Sequence, residues 1–190
     1  MPPMSETTTP TTSTTLPLVP GVWTIDPAHS NVTFAIRHLG VSKVRGRFNT
    51  FDATLDVGSG LHDTLVQAVI DVASIDTGNS DRDGHVLSPE LLDVASRPEL
   101  RFASTRISGE GEDWKLEGEA TLGDITRPFA FDVEFGGIQD FMGTPHAGFS
   151  AAGDLRRSDF GIEFSGPASL ALGAIVKFEL ELQFLQPTND

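Results

Sequence analysis

From Trp23 onward, apolar and polar residues alternate with a period of two. Val32, Phe34, Ile36 and His38 share one phase against Thr33, Ala35 and Arg37, and Phe51, Ala53, Leu55 and Val57 alternate with Asp52, Thr54 and Asp56. The same alternation runs through Trp114, Leu116, Gly118, Ala120 and Leu122, through Phe129, Phe131, Val133 and Phe135, and through Val176, Phe178, Leu180, Leu182 and Phe184. Each run is a strand with one dry side and one wet side. Gly58-Ser59-Gly60, Ser108-Gly109-Glu110-Gly111, Gly136-Gly137 and Ser165-Gly166-Pro167 mark turns between them. The runs near 22–26, 31–39, 43–57, 65–75, 99–107, 113–122, 127–135, 147–157 and 173–185 predict eight or nine strands in one all-β domain, a sandwich or an antiparallel barrel.

One stretch, residues 80–94, loses the alternation and predicts a short helical insertion. Ser88-Pro89-Glu90 there reads as an N-cap, an N1 proline and an early acid, with a further turn starting near Asp81. Residues 1–20 are Thr, Pro and Ser with scattered aliphatics, too poor in apolar groups to offset the entropy of ordering, and are expected to form a disordered tail before a domain spanning 21–190. The tail lacks the basic start and apolar h-region of a signal peptide, and no stretch approaches the roughly 18 apolar residues of a membrane span, so a cytoplasmic location without stable membrane insertion is expected.

Composition narrows the function classes. With 13 Lys+Arg against 27 Asp+Glu, the formal net charge is −14, which argues against a nucleic-acid backbone or an anionic lipid surface as the main partner while leaving room for a local basic patch. The absence of Cys removes disulfides, thiolate metal sites and thiol nucleophiles. No phosphate-binding, dinucleotide, zincin, serine-hydrolase or EF-hand pattern occurs. The five His residues (His29, His38, His62, His85 and His146) are dispersed, so no metal site or cofactor is expected.

Asp26-Pro27-Ala28-His29-Ser30 contains acid–base ingredients, but a turn that satisfies its own backbone is the simpler reading. Asp83 with His85 reads as helix-start capping before it reads as an orienter and base. Arg156-Arg157 reads as an Arg–Asp clamp closing a barrel end, or as a seat for an anionic head group. His38, alone on an apolar phase, is either a hydrogen-bonded core residue or a polar contact at a pocket end.

The chain has 13 Phe and no Tyr. Phe34, Phe48, Phe102, Phe129, Phe131, Phe135, Phe149 and Phe178 fall on apolar phases of separate strands, so their rings converge. A small eight-stranded barrel fills with side chains or holds one ligand. Small residues such as Ala35, Gly46, Gly118 and Gly153 are expected to leave room for one. Burying about ten methylenes at about 0.8 kcal/mol each gains roughly 8 kcal/mol, enough for affinity without a catalytic group.

Trp23-Thr24-Ile25-Asp26-Pro27-Ala28-His29-Ser30, then Val32-x-Phe34, then the stretch from His38-Leu39-Gly40-Val41 to Phe48 resemble the opening signature of the YceI-like family. The resemblance continues in order through Arg82-Asp83-x-His85, Pro98-Glu99-Leu100-x-Phe102, Gly118 to Pro128, and Arg157-Ser158-Asp159-Phe160-Gly161-Ile162. It implies an extended lipocalin-like antiparallel β-barrel with a helical insertion, whose internal tunnel binds a polyisoprenoid or related long-chain lipid, with no catalytic set to transfer. Carried over, it places Phe34, Ile36, Val44, Phe48, Phe102, Phe131 and Phe149 on the tunnel wall and His38 and Arg157 near polar ends. Leu87 stands where relatives carry a basic residue, and Leu122-Gly123-Asp124-Ile125-Thr126 is a loose version of their glycine-threonine turn.

The leading expectation is a non-enzymatic lipid-binding barrel, with a homodimer pairing through barrel edges as a further expectation. Two rivals remain open on the sequence: an enzyme acting on an isoprenoid or polyketide-like substrate with His38 or His29 oriented by Asp26 or Asp83, and an interaction module with a filled barrel and an open edge.

Overall fold

The computed structural model describes residues 16–188. The alternating runs become strands β1 (Gly21–Ile25), β2 (Asn31–His38), β3 (Ser42–Phe48), β4 (Phe51–Val57), β5 (Leu65–Asp71), β6 (Ile75–Asp76), β7 (Glu99–Glu110), β8 (Asp113–Leu122), β9 (Ile125–Phe141), β10 (Thr144–Arg156) and β11 (Leu172–Leu185), all paired antiparallel. The helices are α1 (Ser80–Leu87) and the single turn α2 (Ala168–Ala171).

Three pairs of short strands act as single bent staves. β1 and β2 both lie along β11: Thr24 and Ile25 pair with Leu185 and Phe184, and after a one-turn break Asn31 to His38 pair with Glu181 to Leu172. The break is specified locally. The Asp26 side chain accepts from the Ala28 N–H at 3.0 Å, and Ser30 Oγ accepts from the Gln183 N–H at 3.0 Å, so the backbone groups that leave the ladder are satisfied. β3–β4 bends at Asn49-Thr50, and β5–β6 bends through a 3-10 turn capped by Asp71. These three staves and β7 to β11 make a closed eight-stranded barrel, sealed by the β1–β11 pairing. The 17 residues of β9 span about 55 Å at roughly 3.3 Å each, which makes the barrel long.

Closure is incomplete at one end. Ser42 to Gly46 of β3 pair only with β2, because β6 reaches no further than Arg47 and Phe48. α1 and residues 88–98 cover the gap toward β7. Arg97 holds that cover in place: its guanidinium donates to the carbonyls of Leu91, of Leu92 at 2.9 Å and of Phe160 at 2.7 Å.

The structure corrects several local expectations. The helix in the insertion is Ser80–Leu87, capped by the Asn79 side chain on the Arg82 N–H; Ser88 ends it, because the residue before a proline is pushed out of the helical region. Gly136-Gly137 is a bulge, not a turn. Phe149 pairs with Phe135 and Gly148 with Gly137, so Gly136 is unpaired, Gly137 takes φ 103° to absorb the extra residue, and β9 runs on to Phe141. Residues 1–15 of the expected tail lie outside the described residues, but Leu16 and Leu18 are buried in the core around Trp23, and the Trp23 indole donates to the Val19 carbonyl at 2.9 Å. The folded domain therefore begins before residue 21.

Candidate functional site: two adjoining apolar cavities

The barrel holds two cavities end to end. The first, about 140 Å³, is walled by β4, β5, β7 to β11 and the N-terminal segment. The second, about 410 Å³, lies under α1 at the incompletely closed end. Leu100, Leu155 and Phe178 line both, so these three side chains lie at the boundary between them.

All nine residues singled out from the sequence border one cavity or the other. Phe34, Ile36, His38, Val44, Phe48 and Arg157 line the second, and Phe102, Phe131 and Phe149 line the first. The rings form a continuous chain between the cavities. Phe48 meets Phe34 at 5.4 Å between centroids, Phe34 meets Phe178 at 6.5 Å, Phe178 meets Phe129 at 6.4 Å, and Phe129 continues through Phe131 to Phe102 at 4.8 and 5.4 Å. A second group, Trp114, Phe135, Phe149 and Phe184, packs the opposite end, with Trp114 stacked on Phe135 at 5.5 Å. Edge-to-face and offset contacts of this kind need no hydroxyl partner.

The space expected beside the small residues is only partly free. A Cβ on Gly118 would meet Phe102 Cζ at 2.6 Å, and one on Gly153 would meet Phe129 Cε1 at 2.8 Å. The facing rings already occupy those positions, and the cavities lie between the ring layers.

The two ends differ in polarity. The first cavity is closed by Leu16, Leu18 and Leu61, with no charged side chain at that end of its wall. Leu61 is held there by the Gly58–Thr64 loop, in which the Ser59 hydroxyl and the N–H groups of Ser59 and Gly60 all donate to Asp63. Those donors hold the Asp63 carboxyl down to about 2. The second cavity ends in His38, Thr77, Arg82, His85 and Arg157, of which Arg82 and His85 are exposed and mark its mouth. Sequence reasoning missed Thr77, Arg82 and His85 as wall residues, because α1 reaches the cavity only through the tertiary fold.

The expected Arg–Asp clamp is an Arg–carbonyl clamp. Arg157 donates to the Gly173 and Ile162 carbonyls, each at 2.9 Å, and its guanidinium lies 5.2 Å from the centre of the Phe164 ring. The cause is position: Arg157 opens a 3-10 turn against β11, where unpaired carbonyls face it.

The candidate acid–base pairs do not assemble at a cavity wall. His29 Nδ1 donates to Asp26 at 2.7 Å outside both cavities and holds that carboxyl below the usual carboxylate range. Asp83 accepts from the Thr77 hydroxyl at 2.6 Å and the Thr77 N–H at 3.0 Å, and does not orient His85. His85 sits 3.5 Å from Glu90, with both side chains more than half exposed. The barrel is not filled, since it holds two cavities, and its unpaired edge is confined to Ser42–Gly46 of β3. Among the described residues no cluster of three His, Asp or Glu forms that could hold a metal ion.

A family model described as the YceI-like domain matches residues 23–184. The chain belongs to the YceI-like family. It is 38% identical over 155 residues to a UPF0312 protein of Enterobacter sp. (strain 638), covering 80% of each chain. It is 35% identical to Protein YceI of Escherichia coli O17:K52:H18, covering 80% of this chain and 81% of that one. Among solved structures the YceI-like barrel is similar to BcnA of Burkholderia cenocepacia, with TM-score 0.72 at 21% identity over 84% of this chain and 98% of that one. It is also similar to a polyisoprenoid binding domain from Saccharophagus degradans, with TM-score 0.65 at 16% identity over 87% and 98%.

Proposed function

We propose that the barrel binds a long-chain isoprenoid or related amphipathic lipid, with the tail in the adjoining cavities and the polar head at the mouth formed by His38, Arg82 and His85. The observation that carries this reading is the shared wall: two cavities lined chiefly by aromatic and aliphatic side chains adjoin at Leu100, Leu155 and Phe178, which line both. Side chains, unlike backbone, can move aside by a rotamer change, and a long flexible chain is the ligand shape that gains from joining the two spaces. The second cavity alone is within the roughly 300–1,000 Å³ of ordinary ligand pockets, whereas the first is below it. The first cavity is therefore an extension for a tail, not a site of its own. The name of the Saccharophagus relative supports the same ligand class. Holding, carrying or sensing such a lipid requires no bond to be made or broken, which accords with the dispersed histidines.

Native mass spectrometry of the purified protein, with organic extraction of any adduct and uptake of a polyprenyl probe by stripped protein, tests the reading. A single lipid per chain is the expected result. Recovery of no lipid together with no probe uptake overturns it.

A further inference from the structure

We propose that the barrel end bearing the β2–β3 turn docks on the surface of an anionic lipid bilayer. Leu39 is 61% exposed and Val41 82% exposed at the tip of that turn, and Leu170 of α2 is 89% exposed. They are neighbours in space, because the Leu39 N–H donates to the Ala171 carbonyl at 2.6 Å. His38, Ala171 and Leu172, next to them in the chain, line the second cavity, so the apolar tip flanks the region where that cavity ends.

Leu39 takes φ 52°, a left-handed conformation that a leucine enters only at a conformational penalty, and Gly40 follows at φ 70°. Asn or Gly would fill the same turn without strain and without exposing an isobutyl group. Both penalties point to a surface that covers the tip.

Charge identifies the surface. In a chain of net charge −14, no Asp or Glu occurs between Pro27 and Phe51, while Arg37, Lys43, Arg45 and Arg47 all lie on this hairpin. Arg37 and Lys43 are directly opposite each other, and Arg47 is paired with Asp76 at 3.1 Å. Among the described residues no carboxylate lies within ion-pair distance of Arg37, Lys43 or Arg45. Acidic residues also occur on the segments around this end: Asp76 pairs with Arg47, Asp81 and Asp83 lie on α1, and Asp159 and Glu163 lie between β10 and α2. An apolar tip flanked by unpaired basic residues matches the interface of an anionic membrane, into which the tip dips while Arg and Lys meet the head groups.

Basic residues on a free edge such as Ser42–Gly46 also discourage strand pairing, but that role does not call for Leu39, Val41 and Leu170. The opposite end offers a contrast. Its β9–β10 turn exposes Phe141 and Met142, yet the flanking charge is Asp140. The docking does not depend on which molecule occupies the cavities, so its failure and the failure of the lipid-binding reading are separable.

Flotation of the full chain with phosphatidylcholine vesicles, with and without a phosphatidylglycerol fraction, at low and high salt, tests the proposal. Binding is expected only to the anionic vesicles and is expected to fall steeply with salt. The double variant Lys43→Glu/Arg45→Glu should weaken it at least about tenfold, and Val41→Asp/Leu170→Asp should weaken it as well, with circular dichroism and melting unchanged for both. Phe141→Asp/Met142→Asp should bind as the parent does. The proposal is overturned by no vesicle binding, by equal binding to neutral vesicles, by loss of binding in the Phe141/Met142 variant instead, or by self-association of the free chain that Val41→Asp/Leu170→Asp abolishes.

Discussion

The tip of the Phe34 ring lies over Gly46, its direct partner across the β2–β3 pair. A Cβ at residue 46 would come within 2.8 Å of Phe34 Cε1, so the glycine exists to let the ring lie along the wall. Gly118 under Phe102 and Gly153 under Phe129 repeat the device. Rings laid on glycines thicken the wall in places and leave the axis open, which is how a barrel with 13 Phe keeps two cavities.

Gly46→Ala is expected to destabilise the fold by about 1–3 kcal/mol through overpacking. Urea unfolding measures this, and Phe34→Leu in the same chain should recover part of the loss. An additive double variant would show that the two residues do not meet.

Phe178→Ala should join the two cavities permanently. The expected cost is about 3–5 kcal/mol in urea unfolding, because a buried ring that touches Phe34 and Phe129 is removed. Polyprenyl probes long enough to need both cavities should enter this variant faster than the parent. Unchanged entry would mean that this boundary does not limit access.

Leu18→Ala tests the N-terminal plug of the first cavity. Leu18 is packed in the Trp23 cluster, so its truncation should cost at least about 2 kcal/mol. The tryptophan emission should also shift to the red as water reaches that end. A variant as stable as the parent would separate the plug from the core.

Arg97→Met should leave the carbonyls of Leu91, Leu92 and Phe160 without their donor. A loss of roughly 2–4 kcal/mol is expected. Limited proteolysis should cut first within residues 88–98, the cover over the second cavity. Unaltered protease resistance there would contradict the clamp.

Stability should fall as acid is added below about pH 4. Asp63 has an ordinary value of 3.8 and a folded value of about 2, and the carboxyls of Asp26 and Asp76 are lowered as well. Hydrogen bonds from Ser59, His29 and Gly78 respectively are the first causes. A folded value below the unfolded one means that the unfolded chain takes up protons first. The contribution is complete above about 4 and vanishes as pH falls toward 2. Asp63→Asn should flatten that part of a melting-temperature profile. An identical slope would show that the loop around Leu61 is not tied by Asp63.

The YceI-like signature and the period-two runs were legible without coordinates because each is local in the chain. Alternation puts Phe34, Ile36 and His38 on one side of a strand whatever the strand packs against, and all three line the second cavity. The helix boundary was not legible in the same way. Ser88-Pro89-Glu90 carries a good start signal, but Asn79, with its side chain on the Arg82 N–H, had already taken that role, and the proline became a stop. Gly136-Gly137 reads as a turn, yet the long pairing with β10 absorbs the pair as a bulge.

The sequence by itself determined the class of fold, the dry phase of each strand and the convergence of its rings, since these follow from side-chain period and from apolar surface seeking burial. Only the tertiary structure decided how the interior divides. Whether a ring touches another ring, a glycine or empty space depends on the register between strands more than a hundred residues apart, as where Phe34 of β2 meets Phe178 of β11. The same holds for the mouth, where Arg82 and His85 reach the cavity because α1 folds over a gap that the short β6 leaves open.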